Sequence, residues 1–229
     1  MGITQRINSL LNYEIKIDLD RTIDRNKAIV LIGIILVVVT ITGYAVGNRW
    51  FWVDNKNYYE YQIDNLKESL RKQPESNSIR VNLAMANYLN GDDTKSIGIL
   101  RNILTEEPGN EPATLYLGLI LSEQKEFKES VGLLTGYVKQ NQGLETRIAY
   151  LYLGRDYLAL GKNDLALKYL GYAAARDPGN PVVYYCQGQA YEQLKDKKNA
   201  IAAYERALRI SPDYTEAENA LKALIKSGN

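Results

Sequence analysis

The chain has 229 residues, 45% of them hydrophobic and 24% charged, a globular composition with room for one ordinary domain and an appendage. It contains no histidine and one cysteine, Cys186, which excludes His-based acid/base chemistry, a Ser/His/Asp triad, Cys/His zinc sites and covalent haem attachment. With 28 basic and 27 acidic residues the formal net charge is +1, so no bulk attraction to nucleic acid is expected, and neither a cofactor nor an enzymatic activity is expected.

Residues 1–27 carry a net charge too small for a polybasic lipid clamp. They read as a short tail; Ile3, Ile7, Leu10 and Leu11 also trace a weak amphipathic stripe, the alternative being an interfacial helix. From Ala28 to Val46 the chain runs 19 residues without a charge, which at 1.5 Å rise spans roughly 28 Å, about one hydrocarbon core. One transmembrane helix is expected. A cleaved signal peptide is the rival, set against it by the 27 residues that precede the run. Arg21, Arg25 and Lys27 before the run, against Arg49 and Lys56 after it, place the N-terminus inside and the remainder on the outer face of a bacterial-type cytoplasmic membrane. Trp50, Phe51 and Trp52 follow at once, and Tyr58, Tyr59 and Tyr61 soon after, as an interfacial belt leading into a first helix.

Beyond Asn57, helical patterns alternate with Pro/Gly/Asn/Asp turns at fixed spacing. Pro74 to Pro108 is 34 residues and Pro178 to Pro212 is 34, while the gap between the pairs is 70, two periods plus two residues. The last full unit shows Tyr184, Gly188, Tyr191, Ala200, Tyr204, Ala207 and Pro212; the one before it shows Tyr150, Leu153, Gly154, Tyr157, Ala166, Leu170, Ala173 and Pro178. Small residues at these offsets let two helices approach closely, and prolines end each unit.

Those residues resemble the tetratricopeptide repeat, and the resemblance implies an all-α solenoid of helical hairpins, each with a first helix A and a second helix B. The organisation read from it is a tail (1–27), a transmembrane helix (28–46), a juxtamembrane segment with a half-repeat helix (47–76), repeats at 77–110, 111–146, 147–180 and 181–214, and a capping helix (215–229). The second repeat ends on Gln142 in place of proline and carries the two extra residues near Lys139 to Gly143, which leaves its angle to the third open.

The resemblance also implies a concave surface lined by the second, fifth, ninth and twelfth positions of each helix A. In this sequence those places hold Val81, Met85 and Tyr88, then Leu115 and Leu119, then Ile148, Leu151, Arg155 and Leu158, then Val182, Tyr185 and Gln189. This is a mainly apolar groove with one basic handle, unlike the basic, Asn-rich clamp that tetratricopeptide modules use for chaperone tails. Cys186 reads as a packing residue, and Asp92-Asp93 as a polar turn and not a metal site.

The expected function is a membrane-anchored interaction scaffold that holds a partner protein or peptide in the groove. Two alternatives stand beside it: a self-assembling structural subunit, and an accessory factor in extracytoplasmic maturation such as cytochrome c assembly or secretion.

Overall fold

A computed structural model describes residues 57–143 and 145–226. All regular structure among them is helical, in ten helices: α1 Tyr58–Lys72, α2 Asn77–Leu89, α3 Asp93–Glu106, α4 Glu111–Glu123, α5 Phe127–Gln140, α6 Thr146–Ala159, α7 Asn163–Arg176, α8 Pro181–Gln193, α9 Lys197–Ile210 and α10 Thr215–Lys226. No helix among the described residues is long and apolar enough to cross a membrane. The tail, the apolar run from Ala28 to Val46 and the Trp50–Trp52 cluster lie outside the described residues.

Six of the ten helices start where a short polar side chain satisfies an orphan N–H. Asn57 forms a capping box with Glu60 at α1, and Ser76, Asp92, Asn110, Asn180 and Asp196 cap α2, α3, α4, α8 and α9. Pro112 and Pro181 sit in first turns, where their missing N–H costs nothing. The A–B turns need a left-handed residue, supplied by Gly91 (φ 84°) and Gly161 (φ 69°), but by Lys125 (φ 64°) and Lys195 (φ 60°) in the other two hairpins.

Helices pack as antiparallel hairpins, α2 with α3, α4 with α5, α6 with α7 and α8 with α9, and each hairpin packs on the next. The first helices α2, α4, α6 and α8 also touch one another in succession, so they line the inner side of the bend, with the second helices outside. Close approach within a hairpin depends on a glycine: a Cβ on Gly154 would stand 2.5 Å from Leu170 Cγ, and one on Gly118 would stand 2.6 Å from Leu134 Cδ2. The residue facing Gly154 is therefore Leu170, while Ala166 and Ala173, the sequence's suggested partners, are buried beside it.

The core is not divided by repeat. One cluster joins Leu115 of α4, Leu134 and Tyr137 of α5, Leu153 of α6, Leu170 of α7 and Val183 of α8. A second joins Val81, Leu100, Ile103, Leu117 and Leu121 across α2 to α4. A third joins Tyr184, Ala200, Tyr204 and Ala207 to Ala217 of α10, which covers the open side of the last hairpin. At the other end Ile63, Leu66 and Leu70 of α1 pack on Leu83 and Ala86 of α2.

The extra residues after α5 are absorbed by one more loop residue and one more residue at the start of α6, which is 14 residues long where the other first helices have 13. Thr146 is fully buried there and its Oγ1 donates to Gly143 O at 2.6 Å. A polar hub ties this junction. The carboxylate of Asp156, fully buried on α6, accepts from Ser122 Oγ of α4 at 2.5 Å and from Ser130 Oγ of α5 at 2.6 Å.

Candidate binding surface

On the inner side, α6, α8 and the α9–α10 connection border a concavity of about 500 Å³. Its lining includes Arg155 and Leu158 of α6, Val182, Tyr185 and Gln189 of α8, and Tyr214 of the α9–α10 connection. Neighbouring side chains hold Tyr185 and Arg155 in place. Tyr185 leans on Tyr204 and Tyr214, with ring centroids 5.7 and 5.2 Å away, and its hydroxyl accepts from Gln189 Nε2 at 3.1 Å, leaving its own proton free to donate. Arg155 lies over the Tyr152 ring at 4.9 Å and reaches Glu123 of the preceding hairpin at 3.0 Å.

Burial raises the Tyr152 and Tyr214 phenols to about 12 and pushes Tyr185 upward as well, so all three are neutral hydrogen-bond donors at physiological pH. The Cys186 thiol, buried in the floor, is raised to about 11 by the same desolvation, which makes it an apolar packing group and a poor nucleophile. Among the described residues no three of His, Cys, Asp and Glu converge to hold a metal ion. The surface offers an apolar floor, phenol and amide donors at its sides and one guanidinium at its mouth. Such a set accommodates a side-chain row of a polypeptide together with its main-chain carbonyls or a carboxylate.

Of the twelve groove positions read from the sequence, the structure brings Arg155, Leu158, Val182, Tyr185 and Gln189 to this concavity. Leu119 and Leu151 are half-buried against the central cluster, and Met85 and Tyr88 against the second. Val81 and Leu115 are buried at 5% and 7% exposure, packed into the second and the central cluster respectively. Ile148 is exposed. Val81 also edges a smaller concavity of about 310 Å³ beside Asn77, Asn110 and Tyr116. Ala159, Gln193 and Tyr214 line the larger one without having been singled out, and Cys186, read from the sequence as a packing residue, lines it as well. Tyr214 carried a signal: it stands where the corresponding connections end on Asn110 and Asn180.

A family model described as tetratricopeptide repeat matches residues 151–215, which hold α6 to α9 almost entirely. Anaphase-promoting complex subunit 3 of Schizosaccharomyces pombe is 28% identical over 143 residues, covering 62% of this chain and 21% of that protein, so the chain spans about a fifth of its length. Among solved structures, one titled as a crystal structure of MamA is 21% identical, covering 64% of this chain and 84% of that one, with a TM-score of 0.59. A second, of MamA AMB-1, is 19% identical and covers 76% of this chain and 98% of that one, also at 0.59. These two likenesses show the fold.

Proposed function

We propose that this chain, a tetratricopeptide-repeat protein, is a membrane-anchored scaffold that holds a partner polypeptide on the inner surface of its solenoid. The observation that carries the reading is the concavity between α6 and α8, where five of the inward-facing residues meet around Arg155 and Tyr185. Contiguous apolar surface with convergent hydrogen-bond donors is the usual form of a polypeptide site. The curated relative is by name a subunit of a multiprotein complex, which supports an interaction role. The anchor is the uncharged run from Ala28 to Val46, and the basic residues before it put the solenoid on the extracytoplasmic side.

Photocrosslinking of the full chain in native membranes tests this. A photoreactive residue at Gln189, inside the concavity, is expected to capture one discrete partner, while the same residue at exposed Tyr172 on the outer helix α7 captures none. Capture should fall with Arg155→Glu and persist in high salt, because apolar burial dominates. Equal capture from Tyr172, or none from Gln189, overturns the reading. An adduct between two copies of the chain would convert it into self-assembly.

A further inference from the structure

The concavity bordered by α6 and α8 is rich in side-chain hydrogen-bond donors and short of side-chain acceptors. No carboxylate lines it, and its one cation, Arg155, is paired with Glu123 of α4. The donors are the guanidinium N–H groups that Arg155 does not give to Glu123, the hydroxyls of Tyr185 and Tyr214, and the side-chain amides of Gln189 and Gln193. Against them stand the two glutamine amide oxygens and the phenol oxygens, and that of Tyr185 already accepts from Gln189 Nε2.

The same character continues along the inner side. Tyr116 and Asn82 edge the smaller concavity of α2 and α4, and Tyr152 follows on α6, with half-buried Met85, Leu119 and Leu151 near them. Tyrosine thus recurs on α4, α6 and α8 and again in the connection after α9. These first helices touch in succession, and helices in contact stand about 8–10 Å apart. A polyproline II helix repeats every three residues, about 9 Å, so a segment of that form crossing the first helices shows the same side to each in turn.

Hydrogen-bond complementarity separates this conformation from its rivals. An α-helix spends its carbonyls internally and would leave the donors of the concavity buried and unpaired. A β-strand brings an N–H with each carbonyl and needs acceptors that the lining side chains hardly supply. A proline-rich segment brings carbonyls that nothing else satisfies, has few N–H groups to bury, and carries apolar rings without charge.

We propose that the segment held on the inner surface is proline-rich and bound in the polyproline II conformation; the inference rests on the polypeptide-binding reading above. Its rings lie on Leu158, Val182 and the Tyr185 and Tyr214 faces, and its carbonyls accept from the Tyr185 hydroxyl, the second N–H of Gln189 Nε2 and the Arg155 guanidinium.

The test is a fluorescence-anisotropy titration of the full chain in nonionic detergent with two labelled dodecapeptides. One is all proline, four turns and about 37 Å long; the other is an Ala/Gln sequence of the same length that keeps its amide N–H groups. The proline probe is expected to bind about tenfold tighter or more. Tyr185→Phe with Gln189→Leu, which remove two donors and keep the bulk, should weaken it about tenfold, and Tyr214→Phe, in a connection outside the helices, should weaken it several-fold. Tyr172→Phe on the outer helix α7 should leave it unchanged, all at unaltered helicity by circular dichroism. Equal affinity for the two probes, no proline binding at about 1 mM, or a proline affinity untouched by both Tyr214→Phe and the double variant overturns the inference. Capture from Gln189 in native membranes then still stands, and with it the polypeptide reading. If Gln189 captures nothing, that reading fails by itself, and the titration still decides the ligand chemistry: a proline preference sensitive to these substitutions sustains it, and equal affinity overturns it.

Discussion

Replacing Asp156 separates the polar hub's contribution from that of the apolar core around it. In Asp156→Ala, Ser122 Oγ and Ser130 Oγ lose their acceptor in a buried place. Each stranded hydroxyl costs about 1–3 kcal/mol, reduced where it turns to a carbonyl of its own helix, and removal of a buried carboxyl returns part of the loss. A net destabilisation of about 2–3 kcal/mol follows for residues 57–229 in urea unfolding. Asp156→Asn keeps the shape and offers one acceptor and one donor to two hydroxyls that can do either, so its cost should stay below about 1 kcal/mol. Burial raises the Asp156 carboxyl above its ordinary 3.8, against the opposing pull of the two seryl hydrogen bonds. The folded state thus binds the proton more tightly than the unfolded chain. The hub's contribution is complete below 3.8 and declines as pH rises through the raised value. Stability of wild type relative to Asp156→Asn should fall across that window. The difference isolates Asp156 from Asp92, Glu106, Glu107 and Asp213, whose lowered carboxyls act in the opposite direction. An Ala variant within about 0.5 kcal/mol of wild type, or a pH-independent difference, would refute the reasoning.

Gly154→Ala should destabilise by about 1–3 kcal/mol, since its Cβ must displace Leu170, whereas Gly98→Ala, with open space around it, should stabilise by about 0.5–1 kcal/mol; paired chemical melts read both signs. Lys195→Gly relieves a left-handed side chain worth about 1–2 kcal/mol and adds unfolded-state entropy of about 0.5–1, so the midpoint in urea should rise slightly and not fall. Deleting residues 215–229 uncovers Tyr184, Tyr204 and Ala207, and should lower both the thermal midpoint and solubility. An unchanged melt would remove α10's capping role.

The helical hairpins were legible because their period is written twice, in the prolines and in the small residues such as Gly154 and Ala166 that set helix spacing. Their partners were less so: Leu170 faces Gly154, and nothing in the spacing distinguishes it from the alanines one turn away. Asp156 went unnoticed because an aspartate on a helix reads as solvent-facing. Its register did hold a clue, since the corresponding places in the other repeats are Ala86, Ile120 and Ala190, all apolar. The inner surface was half legible. Position within helix A shows which side chains turn inward, but whether neighbouring elements then cover them is set by packing between repeats, which the period does not specify: Leu115 is buried and Leu151, at the same repeat position, only half-buried. Hence Val81 and Leu115 are buried while Tyr185 and Gln189 line a cavity. The tyrosine in the last connection, Tyr214, closes that cavity from a loop that no helical periodicity describes.

The continuity of the core sets the order in which the solenoid yields to force. Leu115, Leu134, Leu153, Leu170 and Val183 belong to one cluster running through α4 to α8, whereas the last cluster needs only α8 to α10 to be complete. A chain held at its N-terminal side and pulled at its free end therefore peels α10 and α9 first, and then meets five helices that must give way together. That is a sacrificial end before a stiff middle, and the cavity between α6 and α8 sits at the boundary, where a partner lodged against Arg155 and Tyr185 would survive the first failure with one wall, Tyr214, removed.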